Sequence, residues 1–279
     1  MYFVAGVFLL ACMDTTTKYL TAYYPPPLVV AVRYVVHCLL MVILLAPTAG
    51  SRLVQTRRTG MVLLRAACLA AASLLLALAL KRMPIAETSS IVFLGPILVV
   101  VMAGPILHEN IGMFGWVAAI AGFTGVLFIA RPGAGLDTVG VALAFSTAVV
   151  TAIYQLLSRI LARSESTLAM LFYSAVVGAV LFGACAPWFW GGERPTLLHV
   201  ILFLAIGALA GIGHFLFTAA HRVAPASMLA PLQYVQLLFA GVLGWVVFGH
   251  VPDAFSILGM CLVVVAGAAV AIKSRMAEP

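Results

Sequence analysis

The sequence predicts an all-α polytopic membrane protein of ten transmembrane helices, arranged as two inverted five-helix repeats. Three observations carry this expectation. Of 279 residues, 65% are hydrophobic and 8% charged, with a mean hydropathy of +1.19; a water-facing domain carries about a quarter charged residues. The apolar runs approach the ~20 residues that a helix needs to cross a bilayer. They are too continuous for barrel strands, which alternate over about ten residues. Third, the stretch Lys81–Glu109 returns as His221–His250: an offset of 140 positions sets Arg82 on Arg222, Ala86 on Ala226 and Gly104 on Gly244. A weak repeat of this length in an apolar chain reads as two copies of a multi-helix unit. Two inverted copies are a common way to enclose a central site.

Taken in order, the expected spans are 2–22, 27–46, 61–80, 84–106, 112–130, 137–160, 167–187, 197–218, 225–248 and 253–273. The repeats are then 1–133 and 134–279. Turn chemistry separates the spans, at Pro25-Pro26-Pro27, Pro47–Ser51, Arg131-Pro132-Gly133 and Gly191–Pro195. The net charge of +7 fits basic cytoplasmic loops, with no need of nucleic acid. With the N-terminus inside, Arg52, Arg57, Arg58, Arg65, Arg159, Arg163, Arg222, Lys273 and Arg275 lie inside, against Lys81, Arg82, Arg131 and Arg194 outside. That bias predicts both termini in the cytoplasm. Trp116, Trp188, Trp190 and Trp245 fall where an interfacial belt belongs, and Gly207-x-x-x-Gly211 permits close helix contact. The five Cys (12, 38, 68, 185, 261) sit in apolar segments at unrelated spacings, which is neither a disulfide framework nor a metal site.

Polar residues inside the spans are the candidates for chemistry, because hydrocarbon penalises them. Asp14 and Lys18 share a helix face four residues apart; they form either a neutral clip in the first span or part of a coupling site. Arg33, with His37 one turn on, either snorkels or meets a carboxylate with its planar fork. Glu87 is either an interfacial carboxylate near Lys81 and Arg82 or a buried, proton-taking acid. His214 is either a core histidine or a proton relay. Gln233 and Gln236 share a face beside Tyr234 near the middle of the ninth span. Together with Tyr34, Tyr154 and Gln155 they suit a substrate with an apolar body and a polar head. The alternative is helix–helix hydrogen bonding, worth about 0.6 kcal/mol per contact in membranes.

These residues carry a likeness. Asp14-xxx-Lys18, Pro27 with Arg33, Pro84-Ile85-Ala86, the Pro105–Glu109 exit of the fourth span and their second-half counterparts resemble the EamA family of the drug/metabolite transporter superfamily. The likeness runs over essentially the whole chain. Where the family often ends its ninth span with Gly-Glu, this chain has Gly249-His250. The resemblance implies a secondary transporter of the bacterial inner membrane, with mobile hairpins at spans 3–4 and 8–9 and a central cavity. Its substrate is expected to be an exported amino acid or similar small amphipathic metabolite. The alternatives are uptake or exchange of another metabolite, such as an S-adenosyl compound, and a channel. Nothing in the chain matches a P-loop or a nucleophile elbow, and His108-Glu109 lacks the second His of a zinc-protease helix. The expectation is a monomer in the lipid bilayer with a small-molecule substrate, without enzymatic activity, cofactor or metal.

Overall fold

The computed structural model describes residues 2–83, 85–95, 97–99, 102, 106, 112–130, 137–189, 194–225, 228–229, 232–249, 254–255, 257–259, 261–262 and 265–266. Every regular element among them is helical. They are α1 (Tyr2–Thr21), α2 (Pro26–Ala49), α3 (Thr59–Arg82), α4 (Ile85–Val92), α5 (Met113–Ala130), α6 (Thr138–Leu161), α7 (Thr167–Cys185), α8 (Leu197–Val223) and α9 (Val235–Phe248). Among the described residues, six helices (α1, α2, α3, α6, α7 and α8) are long and apolar enough to cross a membrane. The expected span 253–273 lies largely outside the described residues.

Local chemistry explains the ends. Pro26 sits in the first turn of α2, where a missing N–H costs nothing. Asp137, Ser166 and Thr196 cap α6, α7 and α8 by accepting from the backbone N–H of Gly140, Ala169 and His199. Helices α3 and α8 stop alike. Met83 (φ −129°, ψ 156°) and Ala224 (φ −137°, ψ 147°) turn extended, because each precedes a proline, whose ring excludes the helical region for its neighbour. The expected fourth and ninth spans are interrupted at matching places, at turns over Phe93–Leu94 and Gln233–Tyr234, 140 positions apart. The Leu94 N–H bonds to Ile91 O and the Gln236 N–H to Gln233 O, three residues back instead of four.

Packing follows one pattern. Helix α3 lies along α6, and α1 along α8; α2 meets both α7 and α8; α3 meets α7; α1 meets α9, and α4 meets α6. Exchanging α1 with α6, α2 with α7, α3 with α8 and α4 with α9 maps this set of pairings onto itself. Small residues permit the closest crossings. A Cβ on Gly6 of α1 would lie 3.2 Å from Gly213 O of α8, and Gly207 of the anticipated G-x-x-x-G pair sits against Val36 of α2. The outer surface is apolar, with Ile43, Leu44, Ile201, Leu204 and Val246 exposed. Such a surface suits lipid, where every backbone polar group has to be satisfied inside the helix. Trp116, Trp188 and Trp245 are exposed as belt residues would be; Trp190 lies outside the described residues.

Polar ties hold the bundle at both ends. At the end where α1 begins, the Glu165 carboxylate in the α6–α7 turn accepts from the backbone N–H groups of Arg57 (3.0 and 3.1 Å) and Arg58 (2.9 Å) before α3. Arg222 Nη1 donates to Glu165 O at 2.7 Å, and Arg159 Nη1 to His221 O at 2.8 Å. At the opposite end, Tyr24 OH and His199 Nδ1 are 2.8 Å apart, joining the end of α1 to the start of α8. There Arg82 also pairs with Asp137 at 3.0 Å. The Gly140 N–H that Asp137 caps, ahead of Arg82, holds its carboxyl below the usual carboxylate range.

Candidate functional site

Helices α1, α2, α3, α4, α6 and α8, with the broken ninth span, enclose a cavity of about 130 Å³. Its apolar wall includes Leu10, Met13, Leu69, Phe93 and Phe217, and its polar wall Asp14, Arg33, Ser73, Thr151, Tyr154, Gln155, His214, Gln233 and Gln236. Two hydrogen bonds cross the cavity wall between distant segments. Gln155 Nε2 donates to Gln233 Oε1 at 2.9 Å, and Gln236 Nε2 donates to Asp14 Oδ2 at 3.1 Å. The shared face expected of Gln233 and Gln236 is therefore turned to the cavity. The turn over Gln233–Tyr234, where the helix is interrupted, supplies one of the two.

Seven of the candidate residues come together here: Asp14, Arg33, Tyr154, Gln155, His214, Gln233 and Gln236. Arg33 is 5% exposed; its Nη1 reaches Met13 Sδ at 3.5 Å, and its guanidinium carbon lies 4.9 Å from the Tyr34 ring centre. His214 stands edge-on to Tyr154, ring centres 6.2 Å apart, with Nδ1 buried and unpartnered. The Asp14 carboxylate is engaged by Gln236, while Lys18, one turn on, is half-buried and does not line the cavity.

Two aromatic candidates point elsewhere. Tyr234 is fully buried but does not line the cavity. Its ring fills the space above Gly122 of α5, where a Cβ would lie 2.2 Å from Cδ2, and it packs near Phe93. The physical reason is angular: adjacent residues at a helical turn point about 100° apart, so with Gln233 facing inward Tyr234 turns to α5. Tyr34 also lies off the cavity. It stacks on Phe182, ring centres 5.8 Å apart, and its OH bonds Ser73 Oγ at 2.9 Å. The Glu87 side chain lies outside the described residues.

The sequence reading missed the residue with the most bonds. The charge count sets Arg65 with the solvated inner residues although the expected span 61–80 contains it; it lies within α3 and is fully buried. Its Nε donates to Ser158 Oγ (2.7 Å), Nη1 to Ser174 Oγ (3.0 Å) and Met170 O (3.2 Å), and Nη2 to Tyr154 OH and Thr218 Oγ1 (both 2.9 Å). All five donors of the fork are used, on acceptors from α6, α7 and α8, and the guanidinium also lies 4.5 Å from the Tyr154 ring centre. Tyr154 lines the cavity, so Arg65 seals its floor toward the end where α1 begins. A charge six positions inside an otherwise apolar helix was the available signal.

Comparison with known proteins accords with this architecture. The profile of the EamA-like transporter family matches residues 1–131 and again 138–272. A solved crystal structure superposes with a TM-score of 0.81 over 100% of this chain and 96% of that one, at 21% identity, which shows a shared fold. An S-adenosylmethionine uptake transporter of Rickettsia bellii is 27% identical over 181 residues, 65% of this chain and 62% of that protein. A riboflavin transporter of Vibrio cholerae is 27% identical over 184 residues (65% and 60%), and the pseudopaline exporter CntI of Pseudomonas aeruginosa 26% over 201 residues (67% and 66%). The matches span about six-tenths of the length of the first of these curated relatives. The expected emphasis on amino-acid exporters is not what these relatives carry. The family is nonetheless clear from a profile that matches twice in succession and so covers nearly the whole chain: this protein belongs to the EamA-like transporter family.

Proposed function

We propose that this chain is a secondary transporter of the bacterial inner membrane that moves a small amphipathic metabolite by alternating access around the central cavity. One observation carries the reading: the cavity joins polar groups from helices whose packing is unchanged when α1–α4 are exchanged with α6–α9. That exchange supports two inverted five-helix repeats, 1–133 and 134–279, making ten crossings in all. Inverted-repeat transporters bind substrate at such a repeat interface, beside interrupted helices; here the interruptions are Phe93–Leu94 and Gln233–Tyr234. Both termini are placed in the cytoplasm by the loop charges, with Arg65 then leaving the loop count for α3.

The cavity of about 130 Å³ is below the ~300–1,000 Å³ of ordinary ligand pockets. Substrate binding therefore requires the repeats to part, at the Glu165 and Arg65 end or at the Tyr24–His199 and Arg82–Asp137 end. The relatives' names favour uptake or exchange of an S-adenosyl compound; amino-acid export rests on the general likeness. Working as a monomer, the protein needs no cofactor in this scheme.

The test is counterflow in liposomes containing the purified protein, with labelled S-adenosylmethionine, riboflavin and amino acids. Saturable uptake driven by unlabelled compound on the other side is expected for at least one of them. Flux that rises linearly without counterflow would make it a channel, and flux no greater than in empty liposomes would leave a scaffold.

A further inference from the structure

We propose that the cavity recognises a zwitterionic α-amino-acid head, with Arg33 taking its carboxylate and Asp14 its ammonium. The inference rests on the transporter reading and names the substrate class of the same cavity.

Among the described residues two arginines are buried, Arg33 and Arg65, and they make the contrast. Arg65 spends all five donors on protein oxygens. Arg33, also buried, lines the cavity; among the described residues its hydrogen bond goes to a thioether sulfur, and its guanidinium carbon lies over the Tyr34 ring, which is no carboxylate. Sulfur is a weak acceptor, so the planar fork remains open to a better one, and it matches a carboxylate. Asp14 lines the same cavity and accepts one hydrogen bond, from Gln236, which leaves most of its lone-pair capacity free. The two charges sit at one depth: Arg33 is seven residues into α2 and Asp14 seven residues before the end of α1. At 1.5 Å per residue each lies roughly 11 Å from that end of its helix.

Arg33 and Asp14 line the same cavity, yet among the described residues the two form no direct ion pair. Opposite charges left apart in a low-dielectric cavity are costly unless something bridges them. An α-amino acid carries an ammonium and a carboxylate on neighbouring atoms and bridges them in one orientation. Gln233, Gln236 and the unpartnered His214 Nδ1 add neutral hydrogen-bonding groups around the same space. A ligand with only one of the two charges satisfies one wall and leaves the other charge unpaired, and sites built for a polar group reject analogues lacking it. The small cavity admits the head; the body of the substrate is accommodated as the bundle opens. Free amino acids and S-adenosyl amino acids share this head.

The experiment is competition in proteoliposome counterflow, with analogues that lose one charge at a time. S-adenosylmethionine is compared with its decarboxylated form, and phenylalanine with phenethylamine and 3-phenylpropionate; riboflavin serves as a substrate without the head. At least one zwitterion is expected to compete, and its one-charge analogues to compete at least tenfold less well. Whichever pair responds identifies the body, nucleoside or free side chain. In Arg33→Gln the zwitterion is expected to lose at least tenfold in affinity and fall to the level of its decarboxylated analogue, a loss of discrimination that general damage to the fold does not produce. Asp14→Asn should erase the preference over the deaminated analogue. Equal competition by wild type for zwitterion and one-charge analogue would overturn the proposal. Saturable riboflavin flux unaffected by any zwitterion would overturn it while leaving the transporter reading intact. No saturable flux of any probe would remove both.

Discussion

Arg65→Lys is expected to lose at least tenfold in saturable transport and to melt several degrees below the wild type in detergent. An ammonium has three donors where the guanidinium uses five, and it lacks the fork that spans Ser158, Ser174, Tyr154 and Thr218 at once. Hydrogen bonds to a charged group are worth about 1.5–3 kcal/mol each in soluble proteins, and about 0.6 kcal/mol on average for polar contacts in membranes. Losing two therefore costs about 1–6 kcal/mol. Tyr154 then loses its anchor and the cavity its floor. Arg65→Leu separates sealing from stability. It removes the bonds and the cost of burying a charge together, so it should recover part of the melting temperature and none of the transport. Flux and melting in proteins purified as single species check both. Wild-type flux in Arg65→Lys would show that the network does not hold the cavity.

Glu165→Ala is expected to lower stability by about 2–6 kcal/mol, as the second large effect. The carboxylate is 3% exposed and accepts backbone N–H groups from both Arg57 and Arg58. Removing it leaves those partly buried donors unmet, at a cost of ~1–3 kcal/mol each. It also cuts the tie between the α2–α3 and α6–α7 turns, though Arg222 keeps its bond to the Glu165 carbonyl. Glu165→Gln should fall between, since an amide retains one accepting oxygen. Melting in detergent measures the three proteins, and an unchanged alanine variant would mean that water replaces the carboxylate without loss.

How far the sequence foretold this depends on the range of each interaction. Apolar runs of crossing length located α1, α2, α3, α6, α7 and α8 to within about five residues at each end, because membrane insertion is decided segment by segment. The repeat was readable because Arg82, Ala86 and Gly104 return 140 positions on as Arg222, Ala226 and Gly244. Gln233 and Gln236 were readable as a pair through their three-residue spacing, and both line the cavity. Tyr234 was not, since its direction is set by an interrupted helix and by Gly122, more than a hundred positions away. Arg65, although within the expected span 61–80, is counted with the inner charges because counting basic residues treats each as solvated. Its acceptors are hydroxyls and a carbonyl on three other helices, partners that no local spacing reveals. Glu165 is the same case, with its donors more than a hundred residues upstream.

The central claim is that substrate passes through this cavity. Its most direct test is a single cysteine at Thr151, on the cavity wall, in a chain whose five cysteines are replaced. The modifying reagent is a water-soluble maleimide, and the protectant is the compound selected by counterflow. Modification of Thr151→Cys should block flux, and saturating substrate should slow it at least fivefold. Trp245→Cys, 52% exposed at the native residue on the outer face of α9, should show neither effect. Protection at position 245 without protection at position 151 would contradict the account, because the substrate would then travel along the outer apolar surface and not through the cavity.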